Sequence, residues 1–267
     1  MTRGLFFDCD GVLAETELDG HRRAFNTVWQ EEGVDWKWSR AAYIEALGVS
    51  GGHERLLALA HSAEFVAAVG HLSRFGDWVE TTRRWHRRKT ELLAQEICRF
   101  GVQPRPGVRR LAEEAAAAGW RLAVVSSGSP CTVTAIARGV LGDALFAETV
   151  MVTAQDVTAK KPAPDCYRVA LERTGVDAAD ALAIEDSAHG LAAARGAAVA
   201  CLVTVTRATA GQDFHGAIAV VDSLSVPLLP TTSDVLDRTA WRAPRGEVGL
   251  ADVERLLDAA AEGRAIG

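Results

Sequence analysis

From residue 107 onward the chain repeats one pattern: a short apolar block, a polar or glycine-bearing turn, then a helix-like stretch. The blocks lie at 122–125, 150–152, 181–184, 201–203 and 218–221, and an earlier one lies at 5–7. Each is three or four residues long, with no alternation of polar and apolar side chains. Such blocks suit strands buried on both faces. Helix-like stretches at 108–118, 132–138, 164–174 and 187–195 separate the later ones. This order predicts an α/β fold, a Rossmann-like parallel sheet wrapped by helices. In such sheets the working residues gather beyond the carboxyl ends of the strands.

Residues 15–98 interrupt the alternation. They carry helical patterns at 18–32, 40–47, 53–60 and 75–97 with no strand between them. A helical block placed after the first strand reads as an inserted cap domain. The expected division is an α/β core at 1–14 and 99–230, a helical cap at 15–98, and an extension at 231–267. Gly101, Pro104, Pro106 and Gly107 punctuate the return to the core. No clear pattern runs through 227–249, and a last helix at 250–262 is expected to pack on the core.

The totals exclude several classes. Charged residues make up 24% and hydrophobic ones 48%, an ordinary globular balance. No apolar run approaches the ~18 residues that span a bilayer. Residues 1–10 hold only Leu5, Phe6 and Phe7 before two acids, a short strand rather than a signal peptide. Cys9, Cys98, Cys131, Cys166 and Cys201 are scattered without CxxC spacing and read as reduced thiols of a cytoplasmic protein. The net charge of −6 argues against nucleic acid as a partner. Arg83, Arg84, Arg87, Arg88 and Lys89 form a local basic run, which for most of these side chains reads as a solvated helix face, with Lys89 set apart. A monomer is expected.

Four segments carry chemistry, each after its own expected strand. Asp8-Cys9-Asp10-Gly11 follows 5–7, and two carboxylates so close need a cation or a shared proton. Ser126-Ser127-Gly128 follows 122–125 and can offer hydroxyl and backbone donors to a phosphate. Lys160-Lys161-Pro162-Ala163-Pro164-Asp165 sets a lysine in a proline-stiffened turn. Glu185-Asp186-Ser187 follows 181–184 and supplies hard oxygen ligands suited to magnesium. Taken singly, each has a bland alternative: a turn, a loop opening a helix, a surface lysine, or Asp186 as a helix cap.

In this order, DCDGV, the serine of VVSSG, the lysine of KKPAPD and the acids of IEDS resemble the motifs of the haloacid dehalogenase superfamily of phosphotransferases. The resemblance covers residues 1–13 and about 99–225. It implies that Asp8 is a nucleophile forming an aspartyl phosphate and that Asp10 is general acid, then base. It also implies magnesium held by Asp8, the Asp10 backbone carbonyl, Asp186 and Glu185, with Ser126 and Lys161 holding the transferring oxygens. Ser127 and Gly128 are then substrate contacts. Dehalogenases do not need the second aspartate, so Asp10 points to phosphate chemistry.

The cap is similar to that of the CbbY-type enzymes, whose substrate is xylulose 1,5-bisphosphate. The carrying segments are 13–26, Asp35-Trp36 with Tyr43, Gly51–Leu56, His86–Thr90 and Arg105–Val108. The resemblance implies a phosphatase acting on a small sugar phosphate, with Glu17 binding sugar hydroxyls. Gly51, Gly52, His53 and Lys89 would face the far end of the substrate, with His21 and Tyr43 nearby. The family commonly has a lysine where this chain has His53, only partly charged at neutral pH. His53 therefore either weakens bisphosphate preference or opens a helix without touching ligand. Trp29, Trp36, Trp38, Trp78 and Tyr43 are expected in the cap core, with Tyr43 able to edge the site. The rival readings are a sugar phosphomutase of the β-phosphoglucomutase kind and a non-catalytic binding protein on the same fold.

Overall fold

The computed structural model describes residues 2–225 and 246–263. Of the extension expected at 231–267, residues 231–245 and 264–267 lie outside the described residues. The chain divides into two compact units, Met1–Glu15 with Val102–Gly267, and Thr16–Gly101.

The first unit holds six strands, β1 (Gly4–Phe7), β2 (Arg121–Val125), β3 (Val150–Val152), β4 (Ala181–Glu185), β5 (Ala200–Thr204) and β6 (Ala219–Val221). They form one sheet in the order β3-β2-β1-β4-β5-β6, and every neighbouring pair is parallel. The chain builds outward from β1 to β3 on one side, then returns to lay β4 against the other side of β1. The crevice between β1 and β4 is therefore the switch point where such sheets place their ligands. Phe6, Ala123, Val125, Ala183 and Cys201 are fully or almost fully buried in one core cluster, which explains the unbroken apolar blocks.

Ten helices are described, α1 (Arg22–Glu31), α2 (Arg40–Ala46), α3 (Gly52–Ala58), α4 (Ala63–Val69), α5 (Trp78–Phe100), α6 (Val108–Ala117), α7 (Pro130–Ala147), α8 (Asp165–Thr174), α9 (Ala188–Gly196) and α10 (Leu250–Ala261). Helix α7 runs far beyond the expected 132–138. It starts on Pro130 and passes through a kink at Gly142, while Val140 and Leu141 continue its buried face. The expected last helix is present as α10, with Val253, Leu256 and Leu257 buried. Its first N–H, on Leu250, donates to Glu114 of α6 at 2.9 Å, and Asp258 accepts from Arg3 at 2.5 Å. Gly107 precedes α6 at φ 84°, and a Cβ there would lie 2.5 Å from the Leu224 carbonyl oxygen.

The second unit is helical throughout its described elements, α1 to α5 with short tighter turns. Its core is aromatic: Trp29 lies 4.9 Å from Trp38 and 6.4 Å from Trp85, both edge-on, and Phe25 stands 5.1 Å from Trp38. Trp29, Trp38 and Trp85 are buried. The basic run on α5 is an ion-paired face: Arg84 and Arg88 reach Glu32 and Glu31, each at 2.8 Å.

Candidate active site

The Asp8 N–H donates to the Ile184 carbonyl at 2.9 Å, continuing the β1–β4 register by one residue. That bond fixes the Asp8 side chain beside the end of β4. The chain then turns sharply, with Gly11 N–H donating to Ala14 at 2.8 Å and Leu13 N–H donating to Cys9 at 2.9 Å. Gly11 sits at φ 92°, and a Cβ there would lie 2.0 Å from Asp186 Oδ2. Glycine is required because the Asp186 carboxylate occupies that space.

Lys161 enters from the loop between β3 and α8. Its Nζ donates to Asp8 Oδ1 at 2.5 Å, to Glu185 Oε1 at 2.6 Å and to the Val125 carbonyl at 2.8 Å. Asp8, Lys161, Glu185 and Asp186 are all buried. Burial pushes the Asp8 carboxyl up to about 8, with Lys161 opposing and Glu185 reinforcing the rise. Burial also disfavours charge on Lys161, but Asp8 and Glu185 outweigh it and hold the ammonium well above the ordinary lysine range. Tyr167, fully buried on α8, donates its hydroxyl to Glu185 Oε1 at 2.5 Å. Burial first, and Glu185 next, keep that phenol far above its usual value, so it stays a donor.

The 126–128 loop is fixed from β3, with Ser126 N–H donating to Val152 at 2.9 Å and Ala154 N–H donating to Gly128 at 3.0 Å. Ser126 Oγ accepts the Gly128 N–H at 3.0 Å, and Ser127 Oγ accepts the Lys161 N–H at 3.3 Å. A Cβ on Gly128 would lie 3.6 Å from Asp10 Oδ2, which locates the Asp10 carboxylate beside this loop. Ser187, not Asp186, caps α9, its Oγ accepting the Gly190 N–H at 3.1 Å. Asp186 is thereby left to face the site.

Asp8, Glu185 and Asp186 each place a carboxylate oxygen within 4.8 Å of the others. Three buried acids with a lysine among them fit a divalent cation. Glu185 Oε2 is buried without a hydrogen-bond partner and lies against Gly190, where a Cβ would stand 1.8 Å from it. Glu185 Oε1 is already shared by Lys161 and Tyr167. Glu185 Oε1 thus holds the lysine beside Asp8, while Asp8 and Asp186 complete the acidic cluster.

In the second unit, Glu17 and His21 bound a single π-turn, Glu17–His21. Tyr43 is buried and donates its hydroxyl to Glu17 Oε2 at 2.8 Å, and Arg55 donates to the Tyr43 oxygen at 3.0 Å. Buried Lys89 places Nζ 2.6 Å from His21 Nδ1 and 5.0 Å from the Phe25 ring centre. His53 Nε2 lies 3.2 Å from Thr82 Oγ1. Gly51 and Gly52 leave room for neighbours, since Cβ atoms there would lie 2.0 Å from Glu54 Oε2 and 2.9 Å from His86 Nε2.

Sequence reasoning missed Tyr167 and the part played by Arg55. Tyr167 carries only a faint signal, one phenol on the inner face of α8 beside Cys166 and Ala170.

A family model for haloacid dehalogenase-like hydrolases matches residues 2–198. The chain is 38% identical to the plasmid CbbY protein of Cupriavidus necator over 234 residues, 87% of this chain and 90% of that protein. The crystal structure of CbbY from Rhodobacter sphaeroides with phosphate is similar at 38% identity and a TM-score of 0.74, covering 84% of this chain and 95% of that one. A mutant of the same protein in complex with xylulose 1,5-bisphosphate matches with the same coverage and score.

Proposed function

This chain belongs to the haloacid dehalogenase-like hydrolase family and is a phosphatase-type enzyme, and from that premise we propose that it hydrolyses a small sugar phosphate through an aspartyl phosphate on Asp8, with magnesium. The observation that carries this reading is Lys161 Nζ set at 2.5 Å from Asp8 and 2.6 Å from Glu185, with Asp186 in the same acidic cluster. A fixed ammonium beside a buried carboxylate keeps part of that carboxylate charged and steadies incoming phosphoryl oxygens.

Asp8 attacks phosphorus in line while the bond to the sugar oxygen breaks, and Asp10 gives that oxygen its proton. Asp10 then takes a proton from water, whose oxygen attacks phosphorus, releasing phosphate and restoring Asp8. Lys161 and Ser126 hold the non-bridging oxygens, with Ser127 and Gly128 shaping the same loop. Asp8, Asp186 and the Asp10 carbonyl would hold magnesium, a hard cation matched to oxygen donors, with Glu185 assisting directly or through water. When bound, the ion neutralises charge shared by the carboxylates and the phosphoryl group.

For the substrate, similarity to a CbbY structure in complex with xylulose 1,5-bisphosphate supports a ketose bisphosphate. The second unit has polar groups suited to it. Glu17, oriented by Tyr43, suits sugar hydroxyls, and Lys89 with His21, together with Gly51, Gly52 and His53, suits a distal phosphate. The test is phosphate release from sugar mono- and bisphosphates, with magnesium and with chelator, by wild type and Asp8→Asn. Magnesium-dependent release that is lost in the variant and fastest on a ketopentose bisphosphate is the expected result. Release from monophosphates alone would overturn the substrate, and isomer without phosphate would make the enzyme a mutase.

A further inference from the structure

Arg105 lies just before α6 and is half-buried; Glu15, Asp186 and Asp222 act on its charge, and its guanidinium hydrogen-bonds backbone carbonyls. One terminal nitrogen donates to the carbonyls of Gly11 and, at 3.0 Å, of Thr204. The other donates to Val205 at 2.8 Å and Asp222 at 2.9 Å. Three of these acceptors sit at the carboxyl ends of β5 and β6. The fourth sits in the turn after β1, and β4 lies between β1 and β5 in the sheet. A single planar cation thus ties the β1 turn to rigid strand ends across an intervening strand.

Gly11 is held on every side. Its N–H bonds Ala14, its carbonyl bonds Arg105, and the Asp186 carboxylate fills the space of a Cβ. Asp10 is its immediate neighbour, so the bond to the Gly11 carbonyl constrains the backbone that carries Asp10. We infer that Arg105 is a positioning residue that sets the proton-donating geometry of Asp10 through the Gly11 carbonyl. This inference rests on the phosphatase reading, in which Asp10 protonates the leaving oxygen.

A residue that only held the fold would affect all substrates alike. Loss of proton donation instead shows when the leaving group needs a proton. Sugar phosphates leave as alkoxides and need the acid; p-nitrophenyl phosphate leaves as a stable phenolate and does not. Lysine keeps the charge but lacks the planar fork that reaches four carbonyls, so Arg105→Lys is the informative variant. Its kcat/KM on a sugar phosphate should fall at least about tenfold further than on p-nitrophenyl phosphate, part of the ~10²–10⁴ that a general acid supplies. Arg105→Ala should show the same bias, and added guanidinium should partly restore the sugar phosphate rate. Equal losses on both esters, or no loss, would overturn the inference. So would failure of both variants to fold, which would make Arg105 a fold-holding residue. Wild type inactive on both esters would instead remove the phosphatase reading, and the inference with it.

Discussion

Asp8 faces Lys161 at 2.5 Å inside a buried acidic cluster, so Asp8→Asn removes the attacking charge without changing shape. Phosphate release should fall at least ~10³-fold, as nucleophile losses do elsewhere, while the protein still melts as one cooperative unit, because Asn keeps the shape of the carboxyl. Loss of activity with an unfolded protein would not support the role. Tyr167→Phe makes a different cut. It removes the hydroxyl that donates to Glu185 at 2.5 Å and leaves Lys161 as the bonded partner of that oxygen. A hydrogen bond to a charged group is worth about 1.5–3 kcal/mol, and urea unfolding should register a loss of that order. Unchanged stability would mean Glu185 finds another partner. Asp8, Asp10, Lys161 and Asp186 were legible because they follow β1, β3 and β4 in a fixed order. Tyr167 and Arg105 were not, because their work is done through carbonyls and a carboxylate that only the folded chain brings near.

At the scale of elements, the strands were legible within a residue or so at each end because burial on both faces leaves unmixed apolar blocks. Helix ends were less so. Helix α4 was missed: it is seven residues long and its capping serine, Ser62, looks like any loop serine until its oxygen accepts the Phe65 N–H at 3.2 Å. Helix α7 was cut short because Gly139 and Gly142 look like punctuation, although only Gly142 departs from helical angles. Helix α9 offers the sharper test. Replacing a helical glycine with alanine normally gains ~1 kcal/mol in propensity. At Gly190 the new Cβ would stand 1.8 Å from Glu185 Oε2, a clash that must displace the carboxylate. Overpacking costs about 1–3 kcal/mol, so Gly190→Ala should shift the urea midpoint downward and weaken magnesium-dependent activity. A stabilised, fully active variant would show that Glu185 can move freely.

For the whole molecule, three buried acids keep oxygens within 4.8 Å of one another with Lys161 bonded to two of them, an arrangement that a divalent cation would stabilise further. Magnesium at about a hundred times its dissociation constant should add ~2.7 kcal/mol to stability, read as a rise in thermal midpoint over the same protein in chelator. An unchanged midpoint would remove the metal from this cluster. Burial raises the Asp8 carboxyl to about 8 in the metal-free chain, with Lys161 opposing the rise, whereas an ion binds the carboxylate. Metal binding should therefore release protons, and apparent affinity should climb with pH until about 8 and then level; calorimetry in two buffers of different ionisation enthalpy measures this. The junction of the two units has a separate consequence. Ala14 and Pro104 form an antiparallel bridge, and Arg105 N–H donates to Leu13 at 2.9 Å. The two cut ends of the first unit are thus stitched together inside it, whatever chain lies between them. Swapping residues 16–101 for a short glycine-serine linker should leave a cooperatively melting sheet, since little closure entropy remains to be met. The junction is a socket, and inserts of different length or ancestry can be exchanged there without shifting β1 against its neighbours.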